Sequence, residues 1–371
     1  MHNSAITFQD GYCSYQQRPL PSTGKGLRIE VLSAGLCGTD IQILNGIRHE
    51  QTDIIGHEGI GIVADNYQNS SHTFGKGQRV IINPTDAHSA AFLLGHNTPG
   101  LFQQYVTIPD EAVSNGVVLA VNTNISKECA SLIEPVAVAI TALDAVQDWH
   151  PKNILIIGAG IVGNLIGMIA TLRNPLSRIT IIHHSSRSLV YSKIQLLPQA
   201  THLFGAEAFT DELQPKDTAV FVATPRNATN TVISKVLEHF KSSSVIDVIG
   251  GFNSQALINA KPATALFSLR AANICMKGKE MQNLPVFPHY SDNQQLSSSA
   301  ILSHRGVSNI ALINAMSLIN AHQNKFRKVV THVFPFTDFA EFLNTLISSD
   351  TRIINDRYVL KSVMLNNKVP Q

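Results

Sequence analysis

Cysteine is scarce in this chain of 371 residues. There are four, Cys13, Cys37, Cys129 and Cys275. No two stand close enough for a Cys-x-x-Cys metal or redox motif, and no regular spacing announces a disulfide framework. Charge is sparse as well: 15% of residues are charged and the formal net charge is +2. With no Lys/Arg block, nucleic acid and anionic membranes are not expected partners. Met1 to Gln17 is polar and lacks the apolar core of a signal peptide, so a reducing cytoplasm is the expected setting. The run Ile154 to Leu172 approaches a membrane span in length. Gly158, Gly160, Gly163, Asn164 and Gly167 interrupt it, which suits a buried strand, a tight turn and a core helix better.

What is present suits a globular protein with a large core. The chain is 44% hydrophobic and long enough for two domains at roughly 100–200 residues each. Residues 27–33, 60–64 and 79–82 alternate or cluster as strands do, and helix-length periodic runs are scarce before about residue 127. From Lys152 strands and helices alternate. Strands are expected at 153–157, 179–183, 219–223 and 244–249, with helices at 162–172, 188–197 and 231–240. That alternation argues for a parallel sheet covered by helices. Residues 279–300, with Pro285, Pro288 and a Ser297-Ser298-Ser299 run, read as an irregular excursion. A helix over 311–321 and a strand over 329–334 are expected after it.

Three short signatures carry chemistry: Gly35-Leu36-Cys37-Gly38-Thr39-Asp40, Gly56-His57-Glu58 and Leu132-Ile133-Glu134-Pro135. A thiolate, an imidazole and carboxylates form the ligand set that zinc takes at a catalytic site with one position open. Alone, Cys37 reads as a small buried hydrophobe and His57 as a loop histidine. Glu134 sits in an apolar segment and needs a partner, a metal or an arginine, because an unpaired buried charge is costly. Further on, Gly158-Ala159-Gly160-Ile161-Val162-Gly163 follows a strand and opens a helix. That is the context in which such glycines bind a dinucleotide: the first allows the turn, the second admits the pyrophosphate and the third lets helix pack on strand.

These segments, with Gly100-Leu101-Phe102-Gln103-Gln104-Tyr105-Val106 between them, resemble the zinc-dependent medium-chain dehydrogenases/reductases of the alcohol dehydrogenase superfamily. The Glu134-Pro135 form is similar to the sorbitol and polyol dehydrogenase branch. The resemblance covers most of the chain. It implies a mostly-β GroES-like catalytic domain at 1–136 and 303–371, and a Rossmann-type doubly wound parallel sheet at 137–302. It implies a cleft between the two, and a homodimer or homotetramer. It further implies one catalytic zinc per subunit, held by Cys37, His57 and a carboxylate, either Glu58 or Glu134, which could alternate. Thr39 matches the hydroxyl that passes the alcohol proton outward. Two departures stand out. Gln42 occupies the place where the family often has a relay histidine, leaving the onward proton to water or to His49. The stretch from Asn83 to Pro99 lacks the four cysteines of a structural zinc lobe, and Asp86, His88 and His96 read as a zinc-free loop.

At the end of the second strand of the dinucleotide domain, an acid would bind the ribose of NAD. This chain reads His183-His184-Ser185-Ser186-Arg187 there. With no carboxylate to repel a 2′-phosphate, and with His183, His184, Ser185 and Arg187 as donors, NADP(H) is expected over NAD(H). Gly158, Gly160, Ile161, Val162 and Gly163 are expected to cradle the diphosphate. The implied activity is hydride transfer between nicotinamide and a secondary alcohol or ketone, a small molecule of polyol, sugar or cyclitol type. A zinc-free enoyl or quinone reductase of the same fold, and a nucleotide-binding protein without turnover, are the alternatives.

Overall fold

The computed structural model describes residues 2–20, 26–205, 217–239, 244–259, 261–285, 300–349 and 352–366. The chain divides into two compact units, Met1–Glu134 with Leu312–Gln371, and Pro135–Ala311. The divisions read from the sequence stood at 136/137 and 302/303.

The first unit is built on the strand Gly26–Gly35, whose alternation sends Leu27, Ile29 and Val31 into the core. It pairs antiparallel with Glu58–Val63, Tyr105–Pro109 and Lys361–Leu365. The sheet runs Val330–Pro335, Lys361–Leu365, Gly26–Gly35, Glu58–Val63, Arg79–Ile82, Val118–Ala120. Sequence positions more than 300 apart therefore lie side by side: Val363 faces Gly35, and Leu36 N–H donates to Ser362 O at 2.9 Å. The helix Phe336–Ile347 closes the core, with Phe339 edge-on to Phe102 at 5.0 Å between ring centres. The polar N-terminus forms a hairpin, His2–Gln9 with Tyr12–Pro19, turning through Asp10 and Gly11, both at positive φ.

The second unit holds a seven-stranded sheet. Its order is Thr201–Phe204, Arg178–His183, Asn153–Ile157, Thr218–Val222, Ser244–Val248, Ala300–Ser303, Leu284–Pro285. All neighbours are parallel except the last pair. In chain order the six parallel strands read 3-2-1-4-5-6, the doubly wound arrangement, which places ligands beyond the carboxyl ends of the strands where the order reverses. Strands buried on both faces explain the unbroken aliphatic runs at Asn153–Ile157 and Thr218–Val222.

The structure amends several expectations. The helix expected at 188–197 is Ser186–Tyr191, followed by a wider turn over Ser192–Leu196. That at 231–240 starts earlier, as Arg226–His239. The short strand Thr201–Phe204 and the helix Thr264–Ala272 had no clear pattern. Within the stretch read as irregular, Leu284–Pro285 is an antiparallel edge strand, while residues 286–299 lie outside the described residues. Ile154 to Leu172 is a strand, a turn and a helix. Among the described residues no helix is long and apolar enough to cross a membrane.

Candidate metal centre and dinucleotide turn

Cys37 lies where the strand Gly26–Gly35 gives way to the helix Gly38–Leu44, and it caps that helix. Thr39 N–H donates to Cys37 Sγ at 3.5 Å. Asp40 reaches back to accept from Cys37 N–H at 2.8 Å, fixing the turn. His57 precedes the strand Glu58–Val63, and the strand register sets Glu58 opposite Gly35. The outcome is a cluster: the ligand atoms of Cys37, His57 and Glu58 all lie within 4.8 Å of one another. Donors bound at zinc distances on a tetrahedron stand roughly 3.3–3.8 Å apart, so a small inward movement accommodates the ion. Sulfur, nitrogen and oxygen donors in this combination fit zinc.

Behind the cluster stands Asp40, fully buried, its Oδ1 3.5 Å from His57 Nδ1. Burial works to raise the Asp40 carboxyl, but His57 and the Cys37 amide prevail and hold it below the usual carboxylate value. For His57, burial works downward, and the charges of Asp40 and Cys37 prevail, holding it well above its ordinary value. A carboxylate behind a ligating imidazole orients the ring and raises its basicity. Glu134 opens the helix Ile133–Ala145. Burial pushes its carboxyl up, with His57 opposing and Asp40 adding. It does not join the cluster that Cys37, His57 and Glu58 form.

Three neighbours were not anticipated in these roles. Lys361 is completely buried and its ammonium contacts both Glu58 Oε2 and Leu36 O. Burial lowers it to about 8, against the opposing pull of Cys37 and Asp40. His96 lies beside His57, ring centres 5.3 Å apart, with its Nδ1 3.1 Å from Glu50 Oε1. Burial, helped by the charges of His57 and Arg48, lowers it to about 4. Glu50 in turn pairs with Arg48. His49 is exposed, so the histidine beside the cluster is His96 instead. Gln42 turns back onto Gly38 O at 3.3 Å. Asp86 is engaged by His88 N–H and Asn115 Nδ2 at 2.8 Å each. A hydrophobic-pattern search passes over Lys361 because it sits at the head of an apolar strand, and only its complete burial marks it.

In the second unit the glycine run is a strand–turn–helix. Gly158 has φ +105° and comes so close to Ala223 that a Cβ would meet its carbonyl oxygen at 2.4 Å; a Cβ on Gly163 would meet Gly158 O at 2.0 Å. Gly160, with open space around it, precedes the helix Ile161–Arg173. Ile161 and Val162 are half-buried in its first turn. Asn164, fully buried, donates to Ala159 O and Gly160 O at 2.8 and 2.9 Å and pins the turn. The free amides of a helix start and its dipole suit a diphosphate.

The expectation for His183 is corrected. Its ring is fully buried, with Nδ1 3.1 Å from Ser188 Oγ and Nε2 2.8 Å from His202 Nδ1. Burial between helix and sheet commits both nitrogens inside the unit, so His183 anchors the loop and does not reach a ribose. Ser185 caps the following helix through Ser188 N–H, while His184 and Arg187 are exposed.

Residues 24–117 match the alcohol dehydrogenase GroES-like domain. Among curated proteins, the chain is 26% identical over 167 residues to 2-dehydro-3-deoxy-L-galactonate 5-dehydrogenase of Pseudoalteromonas atlantica, covering 40% of this chain and 47% of that protein. It is 26% identical over 190 residues to sorbitol dehydrogenase of Arabidopsis thaliana, covering 47% of this chain and 52% of that protein. The chain thus spans about half the length of the curated relatives it matches. Galactitol-1-phosphate dehydrogenase from Escherichia coli shares the fold at a TM-score of 0.71 and 18% identity, over 98% of this chain and 100% of that one. The chain thus carries an alcohol dehydrogenase GroES-like domain over residues 24–117, is similar over part of its length to sugar and polyol dehydrogenases, and shares its fold with galactitol-1-phosphate dehydrogenase.

Proposed function

We propose that the protein is a zinc-dependent oxidoreductase that moves a hydride between NADP(H), in preference to NAD(H), and a secondary alcohol or ketone of polyol, sugar or cyclitol type. The observation that carries this reading is the Cys37–His57–Glu58 cluster, three donors of different chemistry within 4.8 Å. Zinc-free reductases have no use for such a set. The sugar and polyol dehydrogenases among the relatives support the substrate class.

Zinc at this site would polarise the oxygen of a substrate alcohol or carbonyl as a Lewis acid. Cys37, His57 and a carboxylate would hold it. Asp40, with Oδ1 3.5 Å from His57 Nδ1, would orient the imidazole for that role. Thr39, two residues from Cys37, would relay the alcohol proton, its hydroxyl oxygen accepting that proton as its own O–H proton is passed on. Gln42 cannot exchange a proton near neutral pH, so water carries it onward. Gly158, Gly160 and Gly163 would seat the dinucleotide diphosphate at the helix start, and His184, Ser185 and Arg187 would receive the ribose phosphate.

Zinc measured on protein purified without added metal should return about one ion per chain. Cys37→Ser should lose metal and carbonyl reduction together while NADPH still binds. No zinc in gently purified protein, or two per chain, would reject the reading.

A further inference from the structure

Among the described residues, the cation in contact with the metal-site carboxylate Glu58 is Lys361, one that a metal site does not need. Lys361 has no exposed surface, and neither, to within 2%, does Glu58. The ammonium takes Glu58 Oε2 and the Leu36 carbonyl, the latter at 3.2 Å. The fold is shaped around it. A Cβ on Gly35 would lie 2.5 Å from Lys361 Cε and 2.6 Å from Nζ, so the first glycine of the Cys37 signature leaves the room that the lysine occupies. The pairing of Lys361–Leu365 with Gly26–Gly35 fixes its position.

We infer that Lys361 is a positioning residue that keeps Glu58 a one-oxygen donor and so keeps one position at the metal open for substrate. The inference rests on the zinc reading above. A carboxylate can bind a metal through one oxygen or both. Here one oxygen is committed to the ammonium, which leaves the other for the ion. Cys37, His57 and that single oxygen make three protein ligands, the number a catalytic zinc keeps when its fourth position serves substrate. The ammonium also carries a positive charge close to the ion. It therefore opposes metal binding while it balances Glu58 whenever the ion is absent. Outer partners that accept a hydrogen bond from a ligand raise its basicity, and their loss weakens metal binding some 10–100-fold. A cationic partner acts with the opposite sign.

The test uses full-length protein, made metal-free and titrated with zinc against a chromophoric chelator, with cobalt(II) substitution as a second readout. Lys361→Met should bind zinc roughly ten-fold tighter or more, by the same scale with reversed sign. Its cobalt d–d bands should weaken as the second oxygen of Glu58 enters as a fourth protein donor, whereas Lys361→Arg should keep the spectrum of the parent. Should Lys361→Met fail to fold, Glu58→Gln and Glu58→Gln/Lys361→Met provide the comparison. With the carboxylate gone, removing the lysine should no longer change the cobalt spectrum, because its effect on coordination runs through Glu58. Unchanged or weaker zinc binding with an unchanged cobalt spectrum in Lys361→Met would overturn the inference. A spectral change of equal size in the Glu58→Gln background would overturn it as well. Parent protein that binds no zinc would defeat the metal reading itself, and is told apart because the failure then precedes any substitution.

Discussion

At the scale of single residues, the chemistry was more legible than the residues that hold it in place. Arg187 is exposed just past the end of the second strand, whereas His183, the last residue of that strand, is buried. Arg187→Ala should weaken NADPH roughly ten-fold or more, the scale of a hydrogen bond to a charged group. NADH should bind as before. Fluorescence titration of both cofactors checks this, and an equal loss for both would assign Arg187 to folding. Lys361 and Asn164 escaped sequence reading because a lone polar residue in an apolar stretch gives no periodic signal. Their meaning comes only from partners far along the chain or from carbonyls set free at a turn. Gly35 is the reverse case, a motif residue whose reason is the lysine behind it. Gly35→Ala should destabilise the protein by about 1–3 kcal/mol, the usual cost of overpacking. Urea unfolding measures it, and a midpoint equal to that of the parent would mean that the lysine moves aside freely.

Elements were recovered where a pattern repeats and lost where it does not. The strands Asn153–Ile157, Thr218–Val222 and Ser244–Val248 were visible because both their faces are largely buried, and Arg178–His183 because its second half is. Thr201–Phe204 was not, being a four-residue edge strand with exposed ends. The N-terminal hairpin was hidden by its polarity, although Asp10-Gly11 is a strong hairpin turn. The strand Arg178–His183 also carries a pH prediction. Burial, with the nearby His202, lowers His183 to about 4. In the unfolded chain a histidine titrates near ~6.5. Between those values the unfolded chain holds a proton that the folded unit refuses. The contribution is therefore complete above about 6.5 and is lost as pH falls toward the folded value, reaching about 2 kcal/mol by about pH 5. His183→Asn, which cannot titrate, should lose less stability than the parent between pH 7 and pH 5. Urea midpoints at the two values decide it, and parallel losses would show that His183 is not the group responsible.

For the whole molecule, two units with separate cores carry the two candidate sites, the Cys37–His57–Glu58 cluster in one and the glycine turn in the other. The glycine signatures and the change of pattern at Lys152 revealed this division, because a switch from isolated strands to strand–helix alternation reports a change of architecture. The return of the chain to the first unit was harder to place, since residues after Ser303 form a helix, Asn309–Ala321, that the unit boundary at Ala311/Leu312 crosses. Binding to the native state alone stabilises it by RT ln(1 + [L]/Kd), about 2.7 kcal/mol at a hundred-fold excess over Kd. Amides that exchange by opening a site should then slow about 100-fold when that site fills. Zinc added to metal-free protein should slow exchange around Gly35–Leu44, Gly56–Val63 and Lys361–Leu365, the segments that carry or support Cys37, His57 and Glu58. NADPH should slow Asn153–Arg173 and Arg178–Tyr191, the glycine turn and the loop that His183 anchors. Mass spectrometry of deuterium uptake separates the two patterns by peptide. If zinc protected the glycine turn and left Gly56–Val63 unchanged, the donors gathered at Cys37 would not be its site, because no local opening of that cluster would have been opposed.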